Sequence, residues 1–222
     1  MSELIKAKEP FRFFTRLHLS ELTGLKASDL SQLLEIIKEV PGSSIYHHTH
    51  RFLQQHQYLS PEPPNDFAYW VTEVLGDDEL GERLASIDTV QFESIRSLRE
   101  QIASTIEDYL KKRPSAKQRF AGEGDEFYFI KSVSFVIPTP YVVNDLREFV
   151  DILSKITVDS IYFHIFEARL RLEKGANDFS NWIESSIGDK SLAEKITRLD
   201  PYTLTLEQLR KTVIKIIERR IS

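Results

Sequence analysis

The sequence predicts a mainly α-helical protein built by tandem duplication of a roughly five-helix unit, with approximate internal two-fold symmetry and a minor β element at about 11–15 and 126–137. Three observations carry that expectation. Apolar residues recur at steps of three and four over most of the chain, as helices burying one face require. The chain also matches itself. Displaced by 116, Phe11-Arg12-Phe13 falls on Phe127-Tyr128-Phe129, Asp29-Leu30 on Asp145-Leu146, Ser44-Ile45-Tyr46 on Ser160-Ile161-Tyr162 and His48 on His164. Displaced by 112, Asn65-Asp66-Phe67 falls on Asn177-Asp178-Phe179, Trp70 on Trp182, Gly76-Asp77 on Gly188-Asp189 and Asp88 on Asp200. Finally, the surplus in the first copy falls where Ser60-Pro61-Glu62-Pro63-Pro64 interrupts the pattern, since proline cannot continue a helix. A solenoid is excluded, because solenoids repeat every ~20–50 residues and need at least about three units.

The elements follow in order. Residues 11–14, Phe-Arg-Phe-Phe, have the aromatic content of a short strand, followed by an irregular stretch through Gly24. Ser28 caps a helix whose Leu30, Leu33, Leu34, Ile37 and Val40 keep the helical period until Pro41-Gly42 closes it. Ser43 or Ser44 caps a second helix to about Gln57. Asn65-Asp66 caps a third over about Phe67–Leu75, Gly76 stops it, and a short helix spans about 78–87. A long helix runs from Ser97 to Lys112, with Ser97 and Glu100 as a capping box. The second copy repeats the scheme, with Asn144 and Asp159 as caps, and its last helix from Thr205 to Arg220 aligns Leu206, Leu209, Val213, Ile216 and Ile217. The expected organisation is a first repeat over 1–112, a linker over 113–125 rich in Pro, Gly and charge, and a second repeat over 126–222, the two packing as one compact unit. The strand at 126–137 is expected to pair with residues 11–15.

Composition excludes several function classes. With 29 basic against 34 acidic residues the formal charge is −5, so the basic excess of a phosphate-backbone binder is missing and nucleic acid is not the expected partner. The absence of cysteine removes disulfides, thiolate metal sites and thiol catalysis, and suits a reducing cytosol. The first residues lack an apolar signal core, and the longest apolar runs fall short of the ~20 residues that span a bilayer. A cytoplasmic protein without a membrane segment is therefore expected. No nucleotide loop, redox pair or nucleophile constellation is present, and no cofactor is identified.

The run Ser-Ile-Tyr-His-His-Thr-His-Arg-Phe-Leu at 44–53, the loop Ser-Pro-Glu-Pro-Pro-Asn-Asp-Phe-Ala-Tyr-Trp at 60–70 and Val-Leu-Gly-Asp-Asp-Glu-Leu-Gly-Glu-Arg-Leu-Ala-Ser-Ile-Asp at 74–88 resemble an uncharacterised family of bacterial and archaeal proteins, a domain of unknown function. The resemblance covers nearly the whole chain and implies no activity, cofactor or substrate.

The candidate site is therefore argued from residues. Four of the six histidines lie at 47–56. Helical spacing aligns Ile45, His48, Thr49, Phe52 and His56, and in the second copy Ile161, His164, Ile165, Ala168 and Leu172, so His48 and His164 are expected in the core. A buried neutral imidazole explains them first, and acid-base catalysis by His48 oriented by Asp66 is the alternative. His47, His50 and His56 stand where the second copy has Phe163, Phe166 and Leu172, so the first copy either exposes this face or lines a polar pocket there. Tyr46, His47, His48, His50, His56, Tyr58 and Glu62 are the candidate ligand-binding residues, and the mixed donors of His47, His50 and Glu62 are the set that would suit zinc or iron. Asn65, Asp66, Asn177 and Asp178 are explained by capping, and Trp70 and Trp182 by core packing.

The expected function is a non-enzymatic binding or regulatory protein that recognises a small polar ligand or a protein partner through this pocket. The alternatives are a divalent-metal-dependent hydrolase or lyase using the same histidines, and a structural module forming a homodimer.

Overall fold

The computed structural model describes residues 5–51, 65–92, 94–168, 176–199 and 204–222. Two long strands, β1 (Phe11–Ala27) and β2 (Phe127–Val143), form a two-stranded sheet. It is antiparallel: the Thr139 hydroxyl donates to Phe13 O at one end and the Thr23 hydroxyl to Phe129 O at the other. After β1 come α1 (Leu30–Glu39), α2 (Gly42–Tyr46), α3 (Asp66–Glu73), α4 (Asp78–Ala85) and α5 (Ile95–Lys112). After β2 come α6 (Leu146–Leu153), α7 (Val158–Tyr162), α8 (Asp178–Trp182), α9 (Lys190–Thr197) and α10 (Leu206–Ile221). The ends of α2, α7 and α8 widen into π-helical turns over His47–Arg51, Phe163–Glu167 and Ile183–Ile187.

The protein is thus mainly helical with a minor sheet, as its periodicity requires, but the strands are longer than their sequence suggests. β1 continues through the stretch expected to be irregular, and β2 runs on through Pro138 and Pro140. A two-stranded sheet leaves one edge of each strand open, so alternate residues need no amide donor and the prolines fit. Residues 11–15 consequently meet the far end of β2 rather than its start.

Caps also move by a residue or more. Asp29, not Ser28, caps α1 by accepting from Ser31 N and Gln32 N, while Ser28 N donates to Gln32 Oε1. The same exchange places the α6 cap at Asp145, with Asn144 N donating to Glu148. Two cap-competent residues stand side by side, and in each pair one carboxylate oxygen of the aspartate accepts from two amides at once. Pro41 precedes α2 without a side-chain cap, Thr157 caps α7, and Ser94 rather than Ser97 caps α5. Asn65 caps α3 where expected, and Thr205, expected as the first residue of the last helix, is the cap of α10.

The chain divides into two compact units. Among the described residues, one holds 18–51, 65–92 and 94–133, thus α1–α5, and the other holds 5–17, 134–168, 176–199 and 204–222, thus α6–α10. Each strand belongs partly to each unit. The first residues of β2 lie with α1–α5, where Phe127 and Phe129 pack with Leu30, Leu33, Ile45, Phe67 and Ile106. The first residues of β1 lie with α6–α10, where Phe11 and Phe13 pack with Phe149, Ile161, Phe179, Leu209 and Val213. So the aromatic start of each strand completes the core of the helices that follow the other strand. The segment before β2 is fastened to the α1–α5 unit: Pro114–Gln118 forms a 3-10 turn, Ala121 N donates to Ser28 O, and Trp70 Nε1 donates to Asp125 O. Among the described residues, no helix is long and apolar enough to cross a membrane.

Candidate functional site

The histidines sit where α2 widens. A π turn holds one more residue than an α turn and re-aims the side chains on it, and such turns recur at functional sites. His47, His48 and His50 are buried here at 9%, 2% and 4% exposure, with Thr49 fully enclosed between them.

His48 is clamped at both nitrogens. Its Nδ1 lies 2.8 Å from Asp66 Oδ2, and its Nε2 accepts from Ile130 N at 2.9 Å. A backbone amide only donates, so Nε2 carries the lone pair and Nδ1 the proton, given to the carboxylate. Ser44 donates to Ile130 O at 2.8 Å, so the strand residue is held at both polar groups. The ring is boxed by Phe127, Phe67 and Phe129 at centroid distances of 4.7, 5.5 and 6.0 Å. In the α6–α10 unit the same clamp recurs: His164 Nδ1 is 2.7 Å from Asp178 Oδ2, Phe14 N donates to His164 Nε2 at 2.9 Å, and Ser160 donates to Phe14 O. Trp182 Nε1 donates to Glu9 O as Trp70 does to Asp125 O. In this geometry each clamp histidine serves as a strand holder, since the nitrogen a general base would use is already accepting from the backbone.

The remaining imidazoles diverge between the units. The Thr49 hydroxyl donates to Ile45 O at 2.7 Å, so it accepts from His50 Nδ1 at 2.9 Å, which makes Nε2 the acceptor nitrogen of His50. The His50 ring stacks on Tyr46 at 5.4 Å and 9°, and Tyr46 stacks in turn on His18 at 5.9 Å and 18°. His47 Nδ1 lies 3.1 Å from Ser132 Oγ. The α6–α10 unit shows the aromatic part of this arrangement, Tyr162 stacked on Phe166 at 5.0 Å, with Phe163 buried in the place of His47. Where Ser132 stands in one unit, Arg16 stands in the other, ion-paired with the buried Glu167.

Tyr46, His47, His48 and His50 are therefore brought into one buried polar layer, though His47 and His50 turn to different partners. His56, Tyr58 and Glu62 lie outside the described residues. Among the described residues, no group of three or more His, Asp or Glu side chains is arranged to hold a metal ion. His18 belongs to the layer and escaped the sequence reading, because it lies in the part of β1 read as irregular. The alternation Leu17-His18-Leu19 was the signal for it. In the α6–α10 unit an open cleft of about 700 Å³ borders the His164–Asp178 clamp, between Arg12, Phe14, Asn181 and Trp182.

A family model described as "Family of unknown function (DUF5752)" matches residues 8–218. A solved structure, "The structure of OrfY from Thermoproteus tenax", is similar at 32% identity and a TM-score of 0.81, covering 98% of each chain. No curated protein matches.

Proposed function

Because the chain belongs to the family of unknown function DUF5752, and that membership brings no activity with it, we propose a role from the histidine layer itself: a binding or regulatory protein whose α1–α5 unit recognises a small polar ligand. The observation that carries the proposal is the divergence of two units that share their clamps. Element order, clamp histidines and core phenylalanines recur 116 or 112 residues apart, which supports an internal duplication. One copy then keeps Phe163 buried and Phe166 half-buried against its core, while the other buries His47 and His50 at the same places. Buried imidazoles need hydrogen-bond partners that phenylalanine does not, so retaining them costs packing and offers polar recognition in return. Binding is favoured over catalysis because His48 and Asp66, the acid-base pair of the alternative reading, are both engaged in holding β2.

The test is calorimetry and thermal shift with divalent metals, sugar phosphates and nucleotides on the wild type, His47→Phe and His50→Phe. Each variant copies the residue the other unit accommodates, so the fold is expected to hold while the ligand response is lost. A ligand that binds the wild type and both variants equally would remove the histidine layer from the site. A wild type silent to the whole panel would count against a small polar ligand.

A further inference from the structure

Each helical unit is a receptor for an extended strand delivered by the other half of the chain. The two strands present nearly the same face: Phe11 and Phe13 in one, Phe127 and Phe129 in the other, both buried. The receiving groups are also the same, a clamp histidine taking the amide of Phe14 or Ile130 and a serine giving to its carbonyl. Phenylalanines and clamps therefore give no reason for a strand to prefer one unit. The residue two positions past the clamped amide does. In β1 it is Arg16, whose guanidinium pairs with Glu167, a carboxylate only 1% exposed. In β2 it is Ser132, which meets His47.

We infer that Arg16 and Glu167 are the specificity pair that assigns β1 to the α6–α10 unit and β2 to the α1–α5 unit, so that the two halves of this chain bind each other in preference to copies of themselves. A β1 strand entering the α1–α5 unit would bring its guanidinium beside His47, in a half whose sequence has Arg51 where the other has Glu167. A β2 strand entering the α6–α10 unit would leave Glu167 buried opposite a serine. Removing one partner of a buried ion pair leaves an uncompensated charge and is strongly unfavourable, which corresponds to a preference on the order of a hundredfold or more for the assigned pairing.

The experiment uses the full chain with a protease site placed in the exposed turn at Gly122-Glu123-Gly124. After cleavage the two halves are expected to co-elute as a one-to-one complex, because each core contains residues from both. After unfolding and refolding, native mass spectrometry is expected to show the heterotypic pair in at least about tenfold excess over either homotypic pair. Arg16→Ser gives β1 the residue found in β2, and the nicked variant is expected to form homotypic pairs of the first half. Glu167→Gln keeps the shape of the site without its charge and is expected to reduce the heterotypic excess even if Arg16→Ser refolds poorly. Halves that separate on cleavage without denaturant would overturn the mutual-receptor reading. A random mixture from the wild type, or an unchanged excess in both variants, would overturn the role of the ion pair.

Discussion

Replacing His48 with phenylalanine separates a strand clamp from simple core packing. Phenylalanine fills the space among Phe67, Phe127 and Phe129, so on packing alone His48→Phe is neutral or mildly stabilising. The clamp geometry predicts the opposite. Losing Nε2 leaves the Ile130 amide without its acceptor, at about 1–3 kcal/mol. Losing Nδ1–H removes a hydrogen bond to Asp66, but that side chain is 33% exposed and regains water, so this part is discounted to about 1 kcal/mol. The expected net loss is about 2–4 kcal/mol, or roughly 5–15 °C in Tm for a chain of this size. His164→Phe is expected to cost at least as much, because Asp178 is only 15% exposed and rehydrates less. Asp66→Asn keeps an acceptor for Nδ1–H and is expected to cost about 1 kcal/mol or less. Urea denaturation followed by circular dichroism measures all three. A His48→Phe protein within about 0.5 kcal/mol of the wild type would refute the clamp, since an orphaned amide beside three phenylalanines cannot be that cheap.

Two further outcomes follow from the helices. Burial, together with the 2.6 Å hydrogen bond to Asp77, pushes the Tyr109 hydroxyl up to about 12 from its ordinary 10.0, so the folded state holds that proton more tightly than the unfolded chain. The stability this contributes is present below pH 10 and is lost as pH rises toward 12, so the stability of the wild type relative to Tyr109→Phe should fall across that window; a constant difference through it would contradict it. Arg210, buried on α10, donates to Leu153 O, Ser154 O and Ile156 O at the end of α6. Arg210→Met keeps the aliphatic stem and orphans these carbonyls, with an expected loss of about 1–3 kcal/mol in denaturant unfolding, and an unchanged midpoint would show that water replaces the guanidinium freely.

Much of the helical content was legible from local patterns. Leu30, Leu33 and Ile37, or Leu209, Val213 and Ile217, are buried together because 3.6-residue spacing puts them on one face whatever surrounds them. The capping of α3 by Asn65 was legible for the same reason, since a cap acts on amides two or three residues away. The later halves of β1 and β2 were not. Gly24 sits there with φ 79°, and Pro138 and Pro140 read as breakers, yet the open edge of a two-stranded sheet tolerates them. In the site, the burial of His48 and His164 was legible from their shared apolar stripe. The partners that fix their protons were only half so: Asp66 was named, but the Ile130 amide comes from a strand 82 residues away.

By itself, then, the sequence determined the helical class, the recurrence of residue patterns along the chain and the split between histidines present in both halves and histidines peculiar to the first. Each of these depends on neighbours within a turn or on comparing the chain with itself. Only the tertiary structure decided that each strand completes the core of the other half's helices, that the shared histidines hold those strands by their backbone, and that His18 joins the layer of Tyr46 and His50. Phe11 and Phe127 carry the same side chain, so no local pattern shows which helices each one meets. That assignment is made by contacts distant in the chain, among them the ion pair of Arg16 with Glu167.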